Sequence, residues 1–192
     1  LNKGSGLLID ATNKTGLGKP SIPFLAFGTK FVDLDLDGWL DIFVANGHVI
    51  DNINLFNREY QHAQHNQIYI NQGNETFLDN TRQIKGDMLD EAVSRGAAFG
   101  DLDNDGDIDI IVSNNNDSAA LLLNTEGPEH NWIGFELEGI LCNRDAIGSK
   151  LSIRTESGDQ VAWVNPAGSY LTSNDKRVIF GIARDQKVLS LD

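Results

Sequence analysis

The sequence has little of what stabilises or targets many small proteins. Its 192 residues include one cysteine, one methionine and four prolines. A single cysteine, Cys142, excludes an intramolecular disulfide, so packing and bound ions must stabilise the fold. No apolar run approaches the roughly 18 residues of a transmembrane helix, and no signal peptide is visible. We therefore expect no membrane insertion by this segment.

Positive charge is also scarce. The chain has 15 Lys and Arg residues against 28 Asp and Glu residues, which gives a net charge of −13. Because a chain this acidic is repelled by phosphate groups, nucleic acid and anionic membrane surfaces are excluded as partners. Hydrophobic residues make up 40% of the chain. That fraction is enough for a packed core and excludes a disordered chain.

The acidic residues concentrate in two nine-residue stretches, residues 33–41 and residues 101–109. Each has Asp at positions 1, 3, 5 and 9 and Gly at position 6. Oxygen ligands at alternate positions suit Ca²⁺, which takes six to eight oxygens in a flexible shell, and Gly permits the sharp turn around the ion. We predict two calcium sites. Side-chain oxygens are expected from Asp33, Asp35, Asp37, Asp41, Asp101, Asp103, Asp105 and Asp109, and backbone carbonyls from Trp39 and Asp107.

The alternative for these stretches is the EF-hand, which shares the opening of the pattern. An EF-hand loop needs an acidic twelfth residue and a helix on each side. The twelfth residue is Val44 in one copy and Val112 in the other, each within a short run rich in β-branched residues. Such runs favour strands, so we expect both loops to join strands.

The two stretches belong to an internal repeat of 68 to 69 residues. Asp33 recurs as Asp101, and the apolar segment at residues 7–12, predicted to be a strand, recurs near Phe77. Four short antiparallel strands per repeat, with a hairpin turn at residues 71–74, favour a propeller blade over a sandwich. We expect residues 7–12 to complete a preceding blade and both acidic loops to lie on one face. Since two blades cannot close a ring, the chain is interpreted as a piece of a longer protein.

The periodicity ends after Asn124, and Gly127-Pro128 indicates a boundary. We predict a propeller segment over residues 1–128 and a second, incomplete β domain over residues 129–192. Alternating apolar residues at 132–137, 150–154 and 160–164 predict its strands. The predicted fold class is therefore all-β.

Several motifs resemble known families. The run from Ala98 through Asp109, with its earlier copy, resembles the FG-GAP/VCBS repeats of integrin-type β-propellers. Residues 143–151, residues 168–173 and Phe180-Gly181 resemble elements of the ASPIC/UnbV domain, and the combination resembles the cartilage acidic protein family. The resemblance implies a secreted or cell-surface calcium-binding protein with an interaction role.

The predicted function is a calcium-binding interaction or adhesion module located outside the cytoplasm, whether secreted, periplasmic or at the cell surface. Calcium would stabilise loops that present a surface to a protein or glycan ligand. The alternative is part of a calcium-dependent carbohydrate-active enzyme with catalytic residues outside this segment. We expect no enzymatic activity, because no acid–base pair and no Gly-x-Ser-x-Gly elbow can be identified.

The remaining chemically capable residues favour structural interpretations. His62 and His65 are three residues apart but lack further soft ligands nearby, which is typical of a solvated loop. His48 is expected to hydrogen-bond a turn, and His130 to lie in the inter-domain link. Cys142 is interpreted as a buried or incidental thiol rather than a nucleophile.

Overall fold

The computed structural model describes residues 6–83, 89–125 and 130–192. Short strands dominate, and the helical elements among these residues are brief: α1 (Gly18–Ser21), α2 (Ile53–Phe56) and one 3₁₀ turn (Thr81–Gln83). None of the helices in the described ranges has the length and apolar character needed to cross a membrane. The predicted all-β class is confirmed.

The first sheet holds four antiparallel strands in sequential order, as the repeat predicted. They are β1 (Ala26–Val32), β2 (Asp41–Asn46), β3 (Gln67–Asn71) and β4 (Phe77–Asp79). Every residue of β2 is buried, which agrees with its continuous apolar sequence. The predicted hairpin turn between β3 and β4 is confirmed, since Gln72 N–H donates to the Thr76 carbonyl.

The second sheet repeats the first three strands of this arrangement. It contains β5 (Ser94–Gly100), β6 (Asp109–Asn114) and β7 (Ala120–Leu122), again antiparallel and in order. The register shifts between Ala26 and Thr29 in β1 and between Ser94 and Ala97 in β5. These are equivalent positions of the repeat, so the shift in strand pairing also recurs in the second sheet. Only three strands of this sheet lie within the described residues.

The main core lies between the two sheets. Val32, Phe43 and Ile68 of the first sheet face Phe99 and Ile110 of the second. The rings of Phe43 and Phe99 meet edge to face, with 5.7 Å between centroids. Aromatic pairs favour this geometry, and it fixes how the two sheets pack.

The strand predicted over residues 7–12 is wrong, because the segment contains a single β-bridge residue, Leu8, in place of a strand. Asp10 Oδ1 accepts hydrogen bonds from both the backbone N–H and the hydroxyl of Thr12. Such a local side-chain bond offers the backbone a turn in place of a sheet ladder. The chain then continues beside the first sheet, where Phe77 N–H donates to the Thr15 carbonyl and Leu17 packs on the buried Tyr69. The segment therefore borders the first sheet rather than completing another blade.

Residues 130–192, here called the C-terminal unit, form a separate β structure with its own core. One sheet has the order β10-β9-β12 and a second pairs β11 with β8. The strands are β8 (Trp132–Phe135), β9 (Lys150–Thr155), β10 (Asp159–Trp163), β11 (Val178–Gly181) and β12 (Val188–Leu191). The three predicted strands correspond to β8, β9 and β10. The predicted boundary at residues 128 and 129 lies outside the described residues.

Candidate metal centre

The two acidic stretches form matching loops between strands. The first loop, residues 33–41, joins β1 to β2, and the second loop, residues 101–109, joins β5 to β6. In both, the fourth and sixth residues have positive φ: Leu36 at 60° and Gly38 at 91°, then Asn104 at 64° and Gly106 at 99°. Glycine adopts this conformation without steric cost, which explains its place at position 6. Strands on both sides exclude the EF-hand.

The closing carboxylate of each loop makes the same two hydrogen bonds. Asp41 accepts from the N–H of Leu34, at 3.0 Å, and of Asn71, at 2.8 Å. Asp109 accepts from the N–H of Leu102, at 2.8 Å, and of Asn124, at 3.0 Å. Each carboxylate therefore ties the start of its loop to the end of the third strand. Both side chains are almost completely buried.

Sequence reasoning did not assign Asn71 and Asn124 to the site. Each asparagine follows three apolar residues at the end of β3 or β7, and this recurrence was the available signal. Asn124 also donates through its side chain to the Leu34 carbonyl, at 2.8 Å, and so links the two loops. The two loops are therefore neighbours, which agrees with the prediction that they lie on one face.

The remaining carboxylates turn inward on their own loops. Asp33 Oδ2 accepts from Gly38 N–H at 3.0 Å, and Asp101 Oδ1 accepts from Asp105 N–H at 3.1 Å. Asp35 and Asp105 each accept from the N–H two residues further along. Carboxylate oxygens therefore gather inside each turn.

The two loops bring together different subsets of the predicted ligands. Carboxylate oxygens of Asp33, Asp35 and Asp37 lie within 4.8 Å of one another, and so do those of Asp101, Asp103 and Asp109. The first cluster uses positions 1, 3 and 5, whereas the second uses 1, 3 and 9. Of the other predicted side-chain ligands, Asp41 and Asp105 belong to neither cluster. The predicted carbonyl ligands, from Trp39 and Asp107, are untested.

Burial raises the pKa of three carboxylates in the two loops. Burial raises the pKa of Asp33 to about 7, although the Gly38 N–H opposes this. Burial likewise raises the pKa of Asp41 to about 7, against the N–H groups of Asn71 and Leu34. Burial and then the charge of Asp105 raise the pKa of Asp107 to about 7. A buried carboxylate stays ionised only when a donor or a cation balances its charge.

Unpartnered oxygens mark where such a cation fits. Asp33 Oδ1 and both carboxylate oxygens of Asp107 are buried and accept no hydrogen bond. Other carboxylates of the same loop lie near both groups and raise the pKa of each. The donor set consists of hard oxygens, which suit Ca²⁺ or Mg²⁺ rather than a transition metal.

The other candidate residues belong to neither carboxylate cluster. His48 Nδ1 accepts from Ile50 N–H at 3.0 Å, which confirms its predicted role in a turn. His62 and His65 are half-buried rather than solvated; burial lowers the pKa of His65. His130 contacts the Asp35 carbonyl at 2.8 Å. Cys142 is exposed, so the buried-thiol alternative is wrong.

Comparisons with known proteins agree with this architecture. A family model described as an FG-GAP-like repeat matches residues 33–112. A model described as ASPIC and UnbV matches residues 139–192. A search of curated proteins found no match. The resemblance to the cartilage acidic protein family remains a prediction from the sequence.

Proposed function

Because this chain carries an FG-GAP-like repeat followed by an ASPIC and UnbV domain, we propose that it is a calcium-binding interaction module that works outside the cytoplasm. FG-GAP-like repeats are typical of extracellular or periplasmic β-rich modules that mediate ligand interactions. The partner is a protein or a glycan. We assign it a binding role rather than a catalytic one.

One observation carries the calcium proposal: each acidic loop contains a buried carboxylate with unpartnered oxygens. Asp33 is 9% exposed and Asp107 is 2% exposed, yet three of their four oxygens accept no hydrogen bond. Two loops of the repeat share this condition, which a divalent cation would relieve. Leaving a carboxylate buried without a partner is otherwise costly.

Each loop offers enough oxygens for a calcium shell. In the first loop, the side chains of Asp33, Asp35, Asp37 and Asp41 are the proposed ligands, with the carbonyl of Trp39. In the second loop, they are Asp101, Asp103, Asp105 and Asp109, with the carbonyl of Asp107; the buried, unpartnered carboxylate of Asp107 is available as a further ligand. Water completes six to eight ligands in a calcium site, whereas Mg²⁺ demands a stricter octahedron and keeps more waters. The flexible, carboxylate-rich loops favour calcium.

The location follows from the chemistry of such sites. Exposed carboxylates such as Asp35 and Asp103 leave each ion partly open to water. Calcium sites of extracellular modules bind at about 10⁻⁴–10⁻³ M, a concentration met outside the cytoplasm. Secreted, periplasmic and cell-surface locations all satisfy this requirement.

Isothermal titration calorimetry tests the proposal. The wild-type chain is expected to take up two calcium ions, and Asp35→Ala and Asp103→Ala are each expected to take up one. Asp51→Ala removes an exposed carboxylate between β2 and β3 and serves as the matched control that keeps both ions. Absence of calcium uptake by the wild-type chain at millimolar concentration contradicts the proposal.

A further inference from the structure

The C-terminal unit lies directly on the first metal loop. Ala183 N–H donates to the Leu36 carbonyl at 3.0 Å, and Leu36 is 1% exposed. Gly181 leaves no space beside this loop: a Cβ there would lie 2.5 Å from Leu36 Cα and would also overlap Asp33 Oδ2. A carboxylate oxygen of the proposed site is therefore in contact with β11.

The same unit also lies on the second loop. Arg177 donates to the Asp101 carbonyl, and to Asn104 Oδ1 at 2.8 Å. Its guanidinium forms an ion pair with Asp175 at 2.7 Å and lies 3.7 Å from the Asp101 carboxylate, so its charge acts on the second loop as well as within the C-terminal unit. The indole of Trp132 fills the space that a side chain at position 106 would need.

Between the loops, the C-terminal unit covers an edge of the second sheet. Phe99 N–H donates to Asn174 Oδ1 at 3.1 Å, and Asp175 N–H donates to the Phe99 carbonyl at 2.9 Å. Thr172 donates its hydroxyl hydrogen to the Ala97 carbonyl at 3.0 Å. These bonds pair the strand edge of β5 that β6 leaves free, and an unpaired edge would invite association with another chain.

These contacts depend on the shape of the loops. The carbonyls of Leu36 and Asp101 and the amide of Asn104 face the C-terminal unit only while each loop keeps its tight turn. Without a cation, the clustered carboxylates of each loop, whose oxygens lie within 4.8 Å of one another, repel one another, and this repulsion favours opening of the turn. A ligand that binds only the closed form of the loops also stabilises whatever contacts that form makes.

We propose that ions bound in the two loops hold the C-terminal unit on the sheets, so that metal removal releases this interface. The inference rests on the proposed calcium function and extends it. Linkage is reciprocal, so displacing the C-terminal unit must weaken metal binding by the same factor as metal removal weakens docking. The face that carries the metal loops is then an internal docking surface rather than the surface offered to an external ligand.

Hydrogen–deuterium exchange on the whole chain tests metal-dependent docking. With calcium, we expect the amides of Phe99, Asp175 and Ala183 to be protected. With chelator, we expect exchange at these amides to speed up at least tenfold, while the amides that pair β9 with β10 keep their protection. Equal protection of Ala183 and Asp175 in calcium and in chelator overturns the proposal.

Terbium titration tests the reverse direction, since Tb³⁺ occupies calcium sites and is sensitised by nearby tryptophan. Trp39 lies within the first loop and Trp132 lies against the second, so Trp39→Phe and Trp132→Phe identify the signal of each site. Asn174→Ala removes the interface bond to Phe99 and touches no proposed ligand of either loop. It is expected to weaken terbium binding about tenfold, within the usual range of coupling between sites. Val164→Ala is the control, because it truncates the core of the C-terminal unit at a side chain that is 2% exposed and leaves the loop contacts in place.

The outcomes separate the two proposals. If terbium and calcium fail to bind, the calcium function itself is wrong. If both bind, but Asn174→Ala matches the Val164→Ala control and exchange at Ala183 is the same with and without chelator, only the docking proposal is wrong. Metal binding, chelator-dependent exchange at Ala183 and selective weakening by Asn174→Ala together support it.

Discussion

Asp109→Asn separates the structural role of the closing carboxylate from its role in metal binding. Asp109 is 0% exposed, and its two oxygens accept from the N–H groups of Leu102 and Asn124. An asparagine keeps one acceptor but turns an NH₂ group toward the other N–H. The substitution therefore loses one charge-assisted hydrogen bond and leaves a donor facing a donor.

The expected loss in the free energy of unfolding follows from these two hydrogen bonds. A hydrogen bond to a charged group contributes roughly 1.5–3 kcal/mol, so we expect the free energy of unfolding to fall by about 3 kcal/mol even without metal. For a chain of this size each kcal/mol shifts the Tm by roughly 2–4 °C, so the expected fall is about 6–12 °C. Thermal unfolding followed by circular dichroism in excess chelator measures this shift.

Asp103→Asn is the matched control. Asp103 lies in the same loop and the same carboxylate cluster but is exposed. In chelator, the Tm of Asp103→Asn is expected to equal that of the wild type. In calcium, both Asp103→Asn and Asp109→Asn are expected to lose the stabilisation that the second loop gains from its ion. A wild-type Tm for Asp109→Asn in chelator would refute the structural role assigned to this carboxylate.

Three further predictions concern pH, the core and the turn. The pKa values of Asp33, Asp41 and Asp107 are raised to about 7, so the metal-free native state binds more protons than the unfolded chain, and its stability falls as pH rises from about 4 to 7. Calcium replaces those protons, so calorimetry should find tighter binding at pH 7 than at pH 5; equal affinity contradicts the assignment. Phe99→Ala leaves a cavity in the main core, where Phe99 is 4% exposed. The free energy of unfolding, measured in urea, should fall by about 3–5 kcal/mol. A fall well under 1 kcal/mol would contradict the packing described. Gly106→Ala places a Cβ at a residue with a φ of 99° and against the indole of Trp132. Tryptophan fluorescence should therefore shift, and the second loop should lose its ion. Unchanged fluorescence would contradict this contact.

The sequence by itself determined the repeat, the loops and most strands. The spacing of Asp residues and of apolar runs is a local property, and side chains two residues apart share one face of a strand whatever the rest of the chain does. Consequently β2 and β6 begin at Asp41 and Asp109 and contain the β-branched runs that predicted strands after the two loops. Positions 4 and 6 of each loop adopt the same backbone conformation in both copies for the same reason.

The local sequence pattern did not predict the structure where a polar side chain can hydrogen-bond to several different partners. Residues 7–12 have an apolar sequence, yet Asp10 and Thr12 form a turn, because side-chain bonds two residues apart compete with strand pairing. Asn71 and Asn124 enter the metal centre only because antiparallel pairing brings the end of the third strand beside the loop.

Tertiary structure also decided what surrounds the metal loops. Asp33 meets Gly181, and Asp101 meets Arg177, across separations of many residues. No spacing in the sequence encodes such contacts, because they arise from the packing of two independently formed β structures. The sequence determined which oxygens are available to a cation, whereas only the folded chain decided which of them are buried, which lack a partner, and which lie beneath the C-terminal unit.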